Sequence, residues 1–138
     1  MKPLNDQFEV EIPSDYESGQ AVVERIMAEV GQAGFSSRDE FGIRLSVDEA
    51  VTNAIKHGNK LSPDKTVRID FQRTDAGVRI EIEDQGSGFC PEDVPDCTKD
   101  ENLESPNGRG LMLMREFMTR IEFSPKGNRV VLEKLHQR

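Results

Sequence analysis

Three short stretches alternate apolar and polar residues with a period of two: Phe8, Val10 and Ile12; Val67, Ile69 and Phe71; Val78, Ile80 and Ile82. That period buries one face of a strand and leaves the other to solvent. The second and third stretches are joined by residues 74–77, a turn containing Gly77, and read as a hairpin. Ile121 with Phe123, and residues 129–133, give a last hairpin around Pro125, Gly127 and Asn128.

Between the first two strands the period changes to that of a helix. Pro13 and Ser14 end the first strand, and Ser14 with Glu17 three residues on reads as a capping box for a helix over about 15–33. Ala21, Val22, Ile26, Ala28, Val30 and Ala33 form its apolar side, and Gly34 stops it. Ser37 with Glu40 opens a second helix that runs to about His57, with Phe41, Leu45, Ala50, Val51, Ala54 and Ile55 on its buried stripe. Gly58 and Asn59 supply its C-terminal cap. Residues 111–118 make a third, short apolar helix. About five strands, mostly hairpin-linked, with three helices inserted in blocks, predict an α+β two-layer sandwich. Its sheet is mixed and mostly antiparallel, with the helices on one face.

At 138 residues the chain has the length of one domain with a single core, spanning 1–138. No apolar run approaches the roughly 20 residues needed to cross a bilayer, and no signal-peptide pattern opens the chain, so a cytoplasmic protein without membrane contact is expected. A net charge of −8 argues against direct nucleic-acid binding, which needs a basic surface to displace counterions. Cys90 and Cys97 lie in one loop with no second Cys or His pair to complete a zinc site. They read either as two reduced thiols or as a redox-sensitive disulfide.

The candidate chemistry sits where the regular pattern stops. Glu49 and Asn53 are four residues apart on the second helix and share a face; His57 continues the spacing. An amide oxygen at Asn53 suits Mg²⁺, and a carboxylate one turn away can accept the proton of an attacking hydroxyl. A plain solvated helix face carries the same residue types. Asp84 follows Val78, Ile80 and Ile82 by the same period, so it faces the core and needs a partner there. The exocyclic amino group of adenine is a suitable donor, whereas guanine presents a carbonyl. An Asp before Gly is also a common turn former. Gly86 and Gly88 let a flat ligand approach the backbone, and Gly108, Arg109 and Gly110 precede the third helix, where unpaired N–H groups favour phosphate. No Gly-x-x-x-x-Gly-Lys-Ser/Thr loop, dinucleotide fingerprint or protein-kinase His-Arg-Asp segment is present.

Taken in order, these motifs resemble a GHKL-type ATPase, the histidine kinase-like superfamily that includes gyrase and mismatch-repair ATPases. Glu49 to Asn53 resembles its N box, Asp84 to Phe89 its first glycine box, and Gly108 to Leu111 its second. The single-domain format resembles bacterial anti-sigma factor serine-protein kinases. That resemblance implies ATP and Mg²⁺ as cofactors, with Glu49 as general base and Asn53 as metal ligand. Asp84 would meet adenine, Gly86 and Gly88 would shape the pocket, and Gly108, Arg109, Gly110 and Leu111 would hold phosphates. It further implies a lid over 89–107, phosphorylation of an anti-sigma factor antagonist, binding of a sigma factor, and a homodimer. The rival is a nucleotide-gated binding module that sequesters its partner without phosphotransfer.

Overall fold

The computed structural model describes residues 6–86, 112 and 114–136. Five strands form one sheet: β1 (Asp6–Pro13), β2 (Thr66–Thr74), β3 (Gly77–Glu83), β4 (Arg120–Phe123) and β5 (Arg129–Leu135), ordered β1-β2-β3-β5-β4. Every pairing among them is antiparallel. Two helices, α1 (Tyr16–Val30) and α2 (Ser37–Asn53), join β1 to β2, and α2 runs on into a wider π-turn, Ala54–Gly58. Residues 114–117 are helical and precede β4. The expected α+β sandwich is therefore present. The antiparallel β1–β2 pairing follows from the helix hairpin: α1 runs out, α2 runs back, and β2 must then descend beside β1.

The strand register lines up the apolar positions into rows across the sheet. Phe8, Phe71, Ile80, Leu132 and Ile121 form one row, and Val10, Ile69, Ile82, Val130 and Phe123 the next. Against these rows α1 lays Val22, Val23, Ile26 and Val30, and α2 lays Ile43, Val47, Ala50 and Val51. Ile69, Phe71, Ile80 and Leu132 are wholly buried, and truncating any of them to Ala should cost about 2–5 kcal/mol. Gly42 of α2 has no room for a side chain, since a Cβ there would run into the Phe117 ring. The short helix thus closes the core against α2.

Two helix starts differ from the expectation by one residue. Asp15, not Ser14, caps α1, its carboxylate accepting from Ser18 N–H at 2.7 Å. The Ser14 hydroxyl is engaged elsewhere, donating to the Lys65 carbonyl at 2.6 Å. Ser36, not Ser37, caps α2, accepting from Asp39 N–H. α1 also ends at Val30, three residues before the expected end at about 33, and Gly34 takes a left-handed φ of 84° in the turn that follows.

The opposite face of the sheet carries a lattice of charges. Arg68 on β2 donates to Glu9, Glu81 and Glu83, and Arg129 on β5 donates to Glu81 at 2.7 Å. Glu81 is only 9% exposed. Hydrogen bonds from Arg129, and then from Arg68, hold its carboxyl down at about 2 against burial, which acts the other way. A depressed carboxylate contributes stability that is full above the ordinary value of 4.5 and is lost as pH falls toward 2. Glu81→Gln should therefore lower stability at neutral pH by on the order of 2 kcal/mol. It should also flatten the acid limb of the wild-type melting profile between pH 5 and pH 2, two effects that thermal melts across that range measure.

Candidate functional site

Three elements meet at one end of the sheet: the end of α2 with its π-turn, the end of β3, and the β4–β5 turn. Between them lies a cleft open to solvent, lined by Ala50, Asn53, Ala54, Ile82, Asp84 and Asn128 among others. Its walls are largely apolar, with Ile82 and Val130 from the sheet and Met114 from the short helix. A few polar groups project into an otherwise greasy slot, the usual make-up of a small-molecule site.

Asp84 forms the floor. It is 7% exposed, although it lies just beyond the last residue of β3. Its backbone N–H donates to the Asn128 carbonyl at 2.8 Å, its carbonyl accepts from Asn128 Nδ2 at 3.1 Å, and its Oδ1 accepts from Gly86 N–H at 2.8 Å. Burial raises the carboxyl above its ordinary value, opposed in part by the Gly86 hydrogen bond. Gly58 and Gly86 are small because they must be. A Cβ on Gly58 would overlap the Asp84 carboxylate, and one on Gly86 would overlap the Gly58 carbonyl.

The π-turn brings Gly58 to this position. Asn59 N–H bonds back to the Ala54 carbonyl, five residues earlier, and Leu61 N–H to the Ile55 carbonyl. The wider turn breaks the 3.6-residue repeat, so His57 leaves the line set by Glu49 and Asn53 and does not line the cleft. Lys60 and Leu61 then take left-handed φ values of 55° and 59°. Each costs roughly 1–2 kcal/mol for a residue with a Cβ. The expected cap at Gly58–Asn59 exists, but the reversal falls one residue later, on Lys60.

On α2 Asn53 lies one turn beyond Glu49, near enough to lower its pKa. Asn53 lines the cleft, and Glu49 stands one turn behind it, half-buried. Burial is the largest influence on Glu49 and raises its pKa; Asp48 adds to the rise, while Asn53 and Lys56 oppose it. Such a carboxylate is a better proton acceptor than one in water. Asn53 and Asp84 line the same cleft, and Glu49 stands outside its lining. Gly88, Gly108, Arg109, Gly110 and Leu111 lie outside the described residues, as do the 89–107 segment, Cys90 and Cys97. Among the described residues no cluster of His, Cys, Asp and Glu is arranged to hold a metal by itself. A metal here would need ligand oxygens in addition to Asn53. Asn128 and Asn59 escaped the sequence reading as site residues because each lies in a turn, where Asn is ordinary.

The family follows from comparison with known proteins. Residues 12–134 match the histidine kinase-like ATPase domain, and the chain belongs to that family. Its relatives include an anti-sigma F factor from Clostridium botulinum, 33% identical over 99 residues that cover 67% of this chain and 68% of the relative. A serine-protein kinase RsbW from Staphylococcus aureus is 27% identical over 128 residues, 88% of this chain and 80% of that one. The serine/threonine-protein kinase BtrW of Bordetella bronchiseptica is 28% identical over 91 residues, 64% of each chain. In fold the chain is similar to a crystal structure of the RsbU and RsbW domains of Rv1364c from Mycobacterium tuberculosis. The TM-score is 0.59 at 17% identity, covering 96% of this chain and 33% of that one.

Because burial raises the Asp84 pKa, the charged form costs stability at neutral pH, and the cost is relieved as pH falls. Asp84→Asn keeps an oxygen for Gly86 N–H while removing the charge. The free protein should melt at the same temperature as wild type or a few degrees higher, as a site residue held for function rather than stability does. A calorimetric melt measures this.

Proposed function

We propose that this chain is an ATP-dependent serine/threonine protein kinase that also serves as an anti-sigma factor in a partner-switching circuit. The observation that supports the reading is one apolar cleft lined by Asn53 and a buried, inward-facing Asp84, with Glu49 half-buried one turn behind Asn53 on α2. The names of the relatives, an anti-sigma F factor, a serine-protein kinase and a serine/threonine-protein kinase, point the same way.

The cleft suits a flat purine. Ala50, Ala54, Ile82 and Val130 offer apolar walls, and glycines 58 and 86 keep the space beside Asp84 free of side chains. Asp84 would accept from the adenine amino group and repel the guanine carbonyl. Asn53 would bind Mg²⁺ through its amide oxygen; the ion would fill its remaining positions with water and phosphate oxygens and neutralise phosphate charge. In transfer, the acceptor serine oxygen attacks the γ-phosphorus and its proton passes to Glu49. The bond from the γ-phosphorus to the bridging oxygen breaks, and ADP leaves with the electron pair. Gly88, Gly108, Arg109, Gly110 and Leu111 would contact phosphates and residues 89–107 would cover them. On this reading 1–138 is one domain, working in the cytoplasm as a homodimer. No helix among the described residues is long and apolar enough to cross a membrane. A phosphate added to the antagonist brings roughly −1.5 to −2 charge. Repulsion from a kinase of net charge −8 then favours release and frees it for the sigma factor.

Transfer of labelled γ-phosphate to an anti-sigma factor antagonist from the same organism tests the reading. Glu49→Ala should lower the rate by roughly 10²-fold or more and leave ATP binding near wild type. For the intact enzyme the rate should fall as pH drops through the raised Glu49 pKa, because a protonated carboxyl accepts no proton; the midpoint should lie above 4.5. Full transfer by Glu49→Ala would remove Glu49 from the mechanism. ATP binding without transfer in the wild type would favour a nucleotide-gated module.

A further inference from the structure

We infer that Asn59 is a specificity-determining positioning residue: it fixes the Asp84–Gly86 turn against the π-turn, and so sets the preference for an adenine over a guanine nucleotide. The inference rests on the ATP-binding reading above and goes beyond it by assigning a residue that touches no ligand.

Asn59 is 1% exposed, and its side chain makes three hydrogen bonds. Its Oδ1 accepts from Gln85 N–H at 2.7 Å, and its Nδ2 donates both to Ser14 Oγ and to the Thr66 carbonyl at 2.9 Å. Its backbone takes part too, with N–H to the Ala54 carbonyl and the carbonyl accepting from Ser62 N–H. One buried amide therefore ties four segments together: the β1–α1 junction, the π-turn, the start of β2 and the residue after Asp84. Gln85 answers from the other side, its Oε1 accepting from Thr66 N–H at 2.6 Å.

The consequence for Asp84 is geometric. Asn128 holds its backbone from the β4–β5 turn, and Asn59 holds the next peptide from the helix end. With both peptides fixed, Gly86 N–H is aimed at Asp84 Oδ1, and the other carboxylate oxygen abuts Gly58. Gly58 is bonded directly to Asn59, so a single residue sets the spacing of the two walls that enclose the carboxylate. Rejection of a guanine carbonyl requires that the carboxylate cannot swing aside. Release of Gln85 N–H lets the 84–86 backbone turn, and a guanine nucleotide then meets less repulsion while an adenine nucleotide meets a poorer acceptor.

Titration calorimetry of the full chain with Mg·ATP and Mg·GTP, alongside thermal melts without nucleotide, separates this role from a structural one. Asn59→Ala should reduce the ATP-over-GTP preference by roughly tenfold, the worth of one buried hydrogen bond. Ser14→Ala, which removes a partner on the far side of the amide, should lower the melting temperature and keep the preference. Asn59→Asp retains an acceptor for Gln85 N–H and should also keep it, so it carries the test if Asn59→Ala does not fold. An Asn59→Ala protein that is less stable yet equally selective overturns the inference, as does loss of preference in Ser14→Ala or in folded Asn59→Asp. A wild type that binds neither nucleotide overturns the ATP-binding reading itself, which the wild-type titration alone reveals.

Discussion

Side chains alternate along a strand, so burying Ile80 and Ile82 against the helices obliges Asp84, two residues on, to enter the same layer. Much of the site follows from that constraint. A carboxylate in an apolar layer must be held, and the neighbouring elements supply the means: Asn128 from the β4–β5 turn, Gly86 N–H from the chain just ahead, and Asn59 from the helix end. The two glycines are the complement of the same requirement, since their side chains would occupy the space the carboxylate needs. A one-residue slip of β3 would turn Asp84 to the charged outer face, and there would be no cleft floor.

The two faces of the sheet solve opposite electrostatic problems. On the outer face, Arg68 and Arg129 surround Glu81 and stabilise its charge, holding the pKa at about 2. At the inner end, Asp84 and Glu49 are both shifted upward by burial, which makes their charged forms costly. Ion pairing therefore serves stability on one side, while the inner carboxylates are held in a state ready for a ligand or a proton.

Much of the fold was legible in the sequence because period-two and helical patterns report burial directly. The rows Phe8–Phe71–Ile80 and Val10–Ile69–Ile82 are the alternation of three strands read across their register. The inward direction of Asp84 was legible for the same reason. The details that escaped depend on tertiary partners. Ser14 and Asp15 are both competent caps; Lys65 and Asn59 engage the serine, leaving the aspartate for the helix. Ser36 and Ser37 differ by one position with the same chemistry. The π-turn at Ala54–Gly58 has no sequence signature, and it is what moves His57 off the Glu49–Asn53 line. Asn59 and Asn128 looked like turn residues, and nothing local distinguishes an Asn that caps a turn from one that clamps a distant strand.

The central claim is that the cleft between the π-turn, Asp84 and the β4–β5 turn receives the adenine base. Backbone amide NMR of the labelled protein, titrated with Mg·ATP, tests it most directly. The account predicts the largest shifts at Gly58, Asn59, Gln85, Gly86 and Asn128, with the charged outer face around Arg68 and Glu81 unmoved. Saturable binding whose shifts fall on that outer face, or an absence of shifts at millimolar ATP, would contradict it.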